Sequence, residues 1–144
     1  MNKYIWLIIV LVVIVGGGVA YKLSGRGGNS GCPLTGVTRN ITVTAVKDKW
    51  AFEPETIEVN CGDKVVLKAV NEDIYDHGIA IEQFGIGKKM PANETVTFDF
   101  VAIKPGDFQF ICSVPCGDGE VDGHARGHFD MIGTIKVKSL IQTQ

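Results

Sequence analysis

The 144-residue sequence lacks a strong excess of either charge, and its formal net charge is −2. A balance this close to neutral gives no reason to expect a nucleic-acid partner. Beyond the N-terminal segment the chain lacks any helical period, and it also lacks internal repeats. The composition is neither that of a disordered chain nor that of a fibrous one. These absences leave one ordinary domain of roughly 100 residues with an N-terminal addition.

The N-terminal addition is an apolar run from Tyr4 to Tyr21 that contains no charge. As a helix it would reach about 27 Å, which is enough to cross the hydrocarbon core of a bilayer. Residues 1–21 are therefore predicted to be a transmembrane anchor, and a signal segment cleaved after Ala20 is the alternative. Either interpretation predicts an exported domain on the extracytoplasmic (periplasmic or outer) face. Residues 22–38 are rich in Gly and Ser and are predicted to be a linker.

Residues 39–140 are predicted to form one all-β domain, because period-two alternation dominates this part of the chain. In ETVTFDF, for example, Val96, Phe98 and Phe100 share one face of a half-buried strand. About seven such short strands, with turn signals every 8–12 residues, predict a β-sandwich or barrel.

Four cysteines raise the question of disulfides, since an exported domain usually folds under oxidising conditions. Cys32 and Cys61 are predicted to form a bridge that pins the linker to a turn. A bridge between Cys112 and Cys116 would close only a small ring and contribute little entropy, so it is the weaker alternative for that pair.

A cluster of metal-binding side chains lies near the C-terminus, in the stretch FQFICSVPCGDGEVDGHARGHFDMIGTI. Thiols, imidazoles and thioethers together suit soft or borderline metals. The donors are Cys112, Cys116, His124, His128 and Met131, with His77 upstream. A Cys2His2 zinc site is one interpretation, but it leaves one histidine and the methionine unused. A single-copper site uses one cysteine, two histidines and a weak axial methionine, whereas two thiolates can bridge two copper ions.

The pattern Cys-x3-Cys…His-x2-Met, together with the upstream Asp-x3-His-Gly and the run PGDFQFICSVPCG, resembles the dinuclear copper (CuA) domain of cytochrome c oxidase subunit II. The resemblance extends over nearly all of Val43 to Val137. It implies a cupredoxin Greek-key β-sandwich or barrel, two copper ions as the cofactor, and one-electron transfer as the function. The ligands it implies are Cys112 and Cys116 as bridging thiolates, His77 and His128 as imidazoles, and Met131 and the Val114 carbonyl as axial donors.

The sequence departs from the family pattern in the ligand loop. The family has three residues between the second cysteine and the histidine, but here eleven residues separate Cys116 from His128. Loop length costs little entropy, so the site can still close. The eight-residue insertion carries His124 as an alternative ligand, although only His128 keeps the family spacing to Met131. The family subunit also has two membrane helices, whereas this sequence predicts one.

The resemblance also implies partners: a cytochrome c or another small electron donor, and the catalytic subunit of a haem–copper oxidase as acceptor. Trp50 is a candidate for the point at which electrons enter, with strand packing as the alternative. Asp118, Glu120 and Asp122 are a candidate acidic docking patch, with a solvated loop as the alternative. Other functional hypotheses are an extracytoplasmic copper carrier or assembly factor, and a single-copper cupredoxin. An electron-transfer domain of this kind has no active site of its own.

Overall fold

The computed structural model describes residues 31–140, so the predicted anchor and most of the predicted linker lie outside the described residues. Within this range the chain is β-structure with two three-residue 3₁₀ helices, Glu82–Phe84 and His128–Asp130. Neither of these described helices has the length or the apolar character needed to cross a bilayer. The prediction of an all-β domain is confirmed.

Two sheets and a separate hairpin account for the strands of the described residues. One sheet has the order β2-β1-β4-β7, the other has the order β3-β11-β8-β5-β6, and β9 pairs only with β10. The pairs β1–β4 and β3–β11 are parallel, and the other pairs are antiparallel. The strands are β1 (Thr38–Val46), β2 (Ala51–Glu53), β3 (Thr56–Asn60), β4 (Lys64–Asn71), β5 (His77–Ile81), β6 (Ile86–Met90), β7 (Thr95–Val101), β8 (Gly106–Ile111), β9 (Asp118–Val121), β10 (His124–Gly127) and β11 (Ile132–Lys138).

The core forms from the alternating apolar positions of both sheets. In β4, Val65, Leu67 and Ala69 are buried while the intervening residues are more exposed, as expected of strands with one face on a core. The rings of Phe52 and Phe110 meet with centroids 5.4 Å apart and with a tilt of 54° between the ring planes. Burial of side chains of this size contributes about 1.5–3 kcal/mol each. The apolar core between the two sheets is therefore the main source of stability.

Eleven strands are present where the alternation predicted about seven. The seven predicted strands all exist, and β2, β6, β9 and β10 are the additional ones. These four have only three to five residues, and β6 carries the consecutive charges Lys88 and Lys89 on a largely exposed strand. Short exposed strands bury too little to impose a clean alternation on the sequence.

The two ends of the sandwich carry different features. At the end where β3 and β11 finish, a disulfide joins Cys32 to Cys61, and the Cys61 N–H donates to the Lys138 carbonyl at 2.8 Å. Gly62 next to it has a φ of 91° and lies so close to Pro33 that a side chain would not fit. The predicted ligands lie at the opposite end, where β8 finishes and where β5 and β11 begin.

Candidate metal centre

Three neighbouring strands bring the predicted ligands to one end of the five-stranded sheet. β8 ends directly before Cys112, β5 begins with His77, and β11 begins directly after Met131. β8 runs antiparallel to both of its neighbours, and its last residue, Ile111, pairs with Ile132 at the start of β11 and with Ala80 in β5. The Cys112 N–H donates to the Met131 carbonyl at 3.0 Å, which continues the ladder into the site.

Two thiols form the centre of the cluster. The Sγ atoms of Cys112 and Cys116 lie 3.8 Å apart, and both cysteines are free. This separation is well beyond the roughly 2.05 Å of a disulfide bond. His77 Nδ1 lies 3.9 Å from Cys112 Sγ, and His128 Nδ1 lies 3.6 Å from Cys116 Sγ. Each sulfur atom therefore has one imidazole beside it.

A weaker donor also lies next to each sulfur atom. The Val114 carbonyl oxygen is 3.2 Å from Cys112 Sγ, and Met131 Sδ is 3.6 Å from Cys116 Sγ. Each thiol thus has one imidazole and one weak donor beside it, although the weak donor is a carbonyl for Cys112 and a thioether for Cys116. Met131 is buried, so its thioether is held within the site and away from solvent.

A buried carboxylate orients His77. Asp73 Oδ2 lies 3.4 Å from His77 Nε2, and both side chains are buried. Backbone N–H groups of Asp48 and Ile74 donate to the same carboxylate, at 3.3 and 2.7 Å. With Nε2 held by Asp73, Nδ1 faces the sulfur atoms, an arrangement typical of metal-binding histidines. The sequence motif Asp-x3-His-Gly included Asp73 but gave no role to its carboxylate.

The protonation states of His77, Cys112 and Cys116 depend on one another. Burial would lower the pKa of His77, but hydrogen bonds to Cys112 and Asp73 outweigh burial and hold the pKa above its ordinary value. Burial would raise the pKa of Cys112, but hydrogen bonds from His77 and from the backbone at Gly78 lower it to about 6. Burial and the negative charge of Cys112 raise the pKa of Cys116 to about 12. One thiolate beside an imidazolium is therefore favoured in the metal-free cluster.

The inserted residues form the β9–β10 hairpin, which was not predicted. Asp118 pairs with Gly127 at its base, and the His128 N–H donates to the Gly117 carbonyl at 2.9 Å. The chain therefore leaves the ligand loop at Gly117 and returns beside it at His128. The eleven intervening residues do not separate Cys116 from His128 in space.

The remaining predicted residues lie on or beside this hairpin. His124 is exposed at the start of β10, so the structure brings His128 rather than His124 to the thiols. The three acidic residues of the insertion, Asp118, Glu120 and Asp122, are exposed. Trp50 is half-buried, and its indole N–H donates to the Cys116 carbonyl at 3.3 Å. The role of Trp50 in electron entry stays a prediction, although the indole contacts the backbone of a predicted ligand.

A cavity of about 570 Å³ lies beside the cluster, between β10 and the segment that follows it. Its lining includes Pro115, Ala125, His128 and Phe129. Phe129 is 88% exposed, and its ring meets the His128 imidazole edge-on with centroids 5.0 Å apart. His128 is therefore reachable from outside, unlike the buried His77.

The donor set decides which metals fit. Sulfur and nitrogen donors suit soft or borderline metals and disfavour magnesium or calcium, which prefer oxygen. The Cys2His2 zinc set with both C-terminal histidines is not assembled, because His124 is exposed while His77 lies within 4.8 Å of both thiols. Two thiols, two imidazoles, a thioether and a carbonyl fit copper in both of its redox states.

Comparison with known proteins agrees with this arrangement. The model of the cupredoxin-like domain family matches residues 32–121. Cytochrome c oxidase subunit 2 of Thermus thermophilus is 31% identical over 97 residues, which are 67% of this chain and 65% of that protein. The chain thus spans about two thirds of the length of this curated relative.

Solved structures show the same fold at low sequence identity. Auracyanin A, a "blue" copper protein from Chloroflexus aurantiacus, has a TM-score of 0.56 and 18% identity, covering 70% of this chain and 99% of that one. The periplasmic domain of cytochrome oxidase subunit II from Bradyrhizobium japonicum has a TM-score of 0.55 and 19% identity, covering 70% and 84%. The predicted resemblance is confirmed, and the chain belongs to the cupredoxin-like domain family.

Proposed function

We propose that this protein is a copper-binding one-electron carrier with a dinuclear centre of the CuA type, similar to that of cytochrome c oxidase subunit II. The observation that carries the proposal is the pair of free thiols 3.8 Å apart, each with its own imidazole. Family membership supports copper binding and electron transfer in general. The claim of two copper ions rests on the second thiol, because a single-copper site needs only one.

The cluster assigns a role to each donor in this proposal. The two thiolates would bridge the ions, and each imidazole would bind one of them. The weak axial donors would be the Met131 thioether and the Val114 carbonyl. Copper held in this way would supply a one-electron couple, with the charge shared between the two ions. These donors would fill the coordination of a copper pair, and this supports the proposal of an electron carrier without a substrate site of its own.

The proposal extends to partners and location. Similarity to cytochrome c oxidase subunit 2 of Thermus thermophilus suggests association with the catalytic subunit of a haem–copper oxidase. The electron donor would be a cytochrome c or another small protein. The exposed carboxylates of the hairpin would favour a donor with a basic surface. Residues 1–21 would anchor the chain in the membrane, with the copper domain on the extracytoplasmic face.

The alternative is an extracytoplasmic copper carrier or assembly factor, or a cupredoxin with a single copper. The cavity beside His128 favours this alternative, because it leaves one ligand within reach of another protein. A carrier must release its metal, whereas an electron relay must retain it through redox cycles.

Copper loading of the full-length chain tests the proposal through metal content and the EPR spectrum. We expect two copper ions per chain and hyperfine coupling to two equivalent copper nuclei. His128→Ala should abolish this signal, and the matched variant His124→Ala should keep it, because His124 is exposed. A signal from one copper nucleus, or EPR-silent copper that a chelator removes readily, would reject the dinuclear centre and support the alternative.

A further inference from the structure

The β9–β10 hairpin is inserted between two predicted ligands, yet these ligands lie side by side. A hairpin that moved freely would transmit its motion to Cys116 and His128, which flank its base. Trp50, which lies outside the hairpin, contacts it in a way that can restrain this motion.

Trp50 contacts the hairpin at two points. Its indole N–H donates to the carbonyl of Cys116, directly before the hairpin, at 3.3 Å. Its ring packs on Gly119 in β9 so closely that a Cβ on Gly119 would overlap the indole. A side chain at position 119 would therefore force the indole ring to move away from β9.

Trp50 is the last residue of the turn that joins β1 to β2. Its φ is 44°, in the left-handed region, which is uncommon for a bulky residue. Such a conformation persists where tertiary contacts hold it.

We propose that Trp50 is a positioning residue that clamps the inserted hairpin, so that the segment between Cys116 and His128 holds its geometry before metal binds. The inference rests on the proposed function only in taking these two residues as ligands. Its test uses the metal-free protein, so its outcome is independent of how many copper ions are found.

Deletion of the hairpin gives a variant in which the proposed role of Trp50 is no longer needed. Removing residues 119–126 joins Asp118 to Gly127, which already pair across the hairpin base. Facing Cα atoms in such a pair are about 5 Å apart, close to the roughly 3.8 Å of neighbouring residues. The deletion restores three residues between Cys116 and His128, and the bond from the His128 N–H to the Gly117 carbonyl becomes that of a β-turn. A chain without the hairpin should not need the clamp.

Hydrogen exchange of the His128 amide in the metal-free, full-length chain tests the proposal. Trp50→Ala and Gly119→Ala should each accelerate this exchange about tenfold, as expected when a packed contact and a hydrogen bond are lost locally. Gly87→Ala is the matched control, because a Cβ there meets nothing within 4 Å. Amides of β8 and β11 should keep their protection, which shows that the domain remains folded.

Two further comparisons separate a clamp from general packing. Adding Gly119→Ala to Trp50→Ala should cause little further change, because the indole that the methyl group would overlap is gone. In the chain lacking residues 119–126, Trp50→Ala should change the exchange less than about twofold. The proposal is overturned if Trp50→Ala leaves the His128 exchange unchanged in the full-length chain, or if it has an equal effect without the hairpin.

Discussion

In the metal-free protein, one thiol should lose its proton near neutral pH and the other only in strong alkali. Burial alone would raise the pKa of Cys112, but hydrogen bonds from His77 and from the backbone at Gly78 lower it to about 6. Burial and the charge on Cys112 raise the pKa of Cys116 to about 12. Since the groups interact strongly, the two steps belong to the pair, and they should be widely separated.

His77→Phe removes the imidazole that opposes burial. The first thiol pKa should then rise from about 6 to at least the ordinary value of about 8.5. At pH 7 the thiolate fraction would fall from roughly nine tenths to a few per cent, as follows from the pKa change. His124→Phe is the matched control, because that histidine is exposed on the hairpin.

Ultraviolet absorbance of the thiolate, followed below about pH 9, measures the first step before the tyrosines ionise near pH 10. The signal reports only Cys112 and Cys116, since Cys32 and Cys61 are joined in a disulfide. The wild type and His124→Phe should each gain about one thiolate between pH 5 and 8, and His77→Phe should gain at most about a quarter of one in that window. Simultaneous titration of both thiols near pH 8.5 in the wild type would refute the reasoning, and so would an unchanged first step in His77→Phe.

The same shift predicts a direction for the pH dependence of folding in the metal-free form. Because the folded Cys112 pKa lies below the unfolded value, its stabilisation is complete above about pH 9 and is lost as the pH falls through about 6. The raised pKa of His77 acts in the opposite sense, stabilising below pH 6.5 and losing this effect as the pH rises through the folded value.

Two other substitutions test the supporting structure. Asp73→Asn removes the charge that holds His77 Nε2, so copper affinity measured by chelator competition should fall about 10- to 100-fold, and an unchanged affinity would contradict the assigned role. Cys61→Ser opens a loop with a sequence separation of 29 residues, so the free energy of unfolding in urea should fall by about 3–4 kcal/mol. A reduced wild type should lose a similar amount, and a loss below about 1 kcal/mol in both would show that the bridge hardly constrains the unfolded chain.

The sequence alone predicted the features that depend on residues close together in the chain, namely the strands and the metal donors near the C-terminus. The alternation in β7 predicted a strand, because one face of the strand is buried and the other is exposed. The donors near the C-terminus were recognisable because copper requires particular side chains at particular spacings. The family was identifiable from the same residues before any contact was known.

The missed features depend on residues far apart in the chain. Asp73 stands in the Asp-x3-His-Gly motif, but only the tertiary structure shows that its carboxylate lies 3.4 Å from His77 Nε2. The insertion read as a loop because its residues are glycine-rich and polar, and its pairing became visible only in the register of β9 with β10. The contact between Trp50 and the Cys116 carbonyl spans 66 positions.

The sequence by itself determined the fold class, the kind of metal donors and the family of this protein, because side-chain chemistry and period-two burial act over a few residues. Only the tertiary structure decided which histidine stands beside Cys116 and how an eight-residue insertion leaves the ligand pair together. The physical reason is that strand register and the burial of Trp50 against β9 are set by contacts between distant segments. Such contacts form only when the whole sandwich has closed.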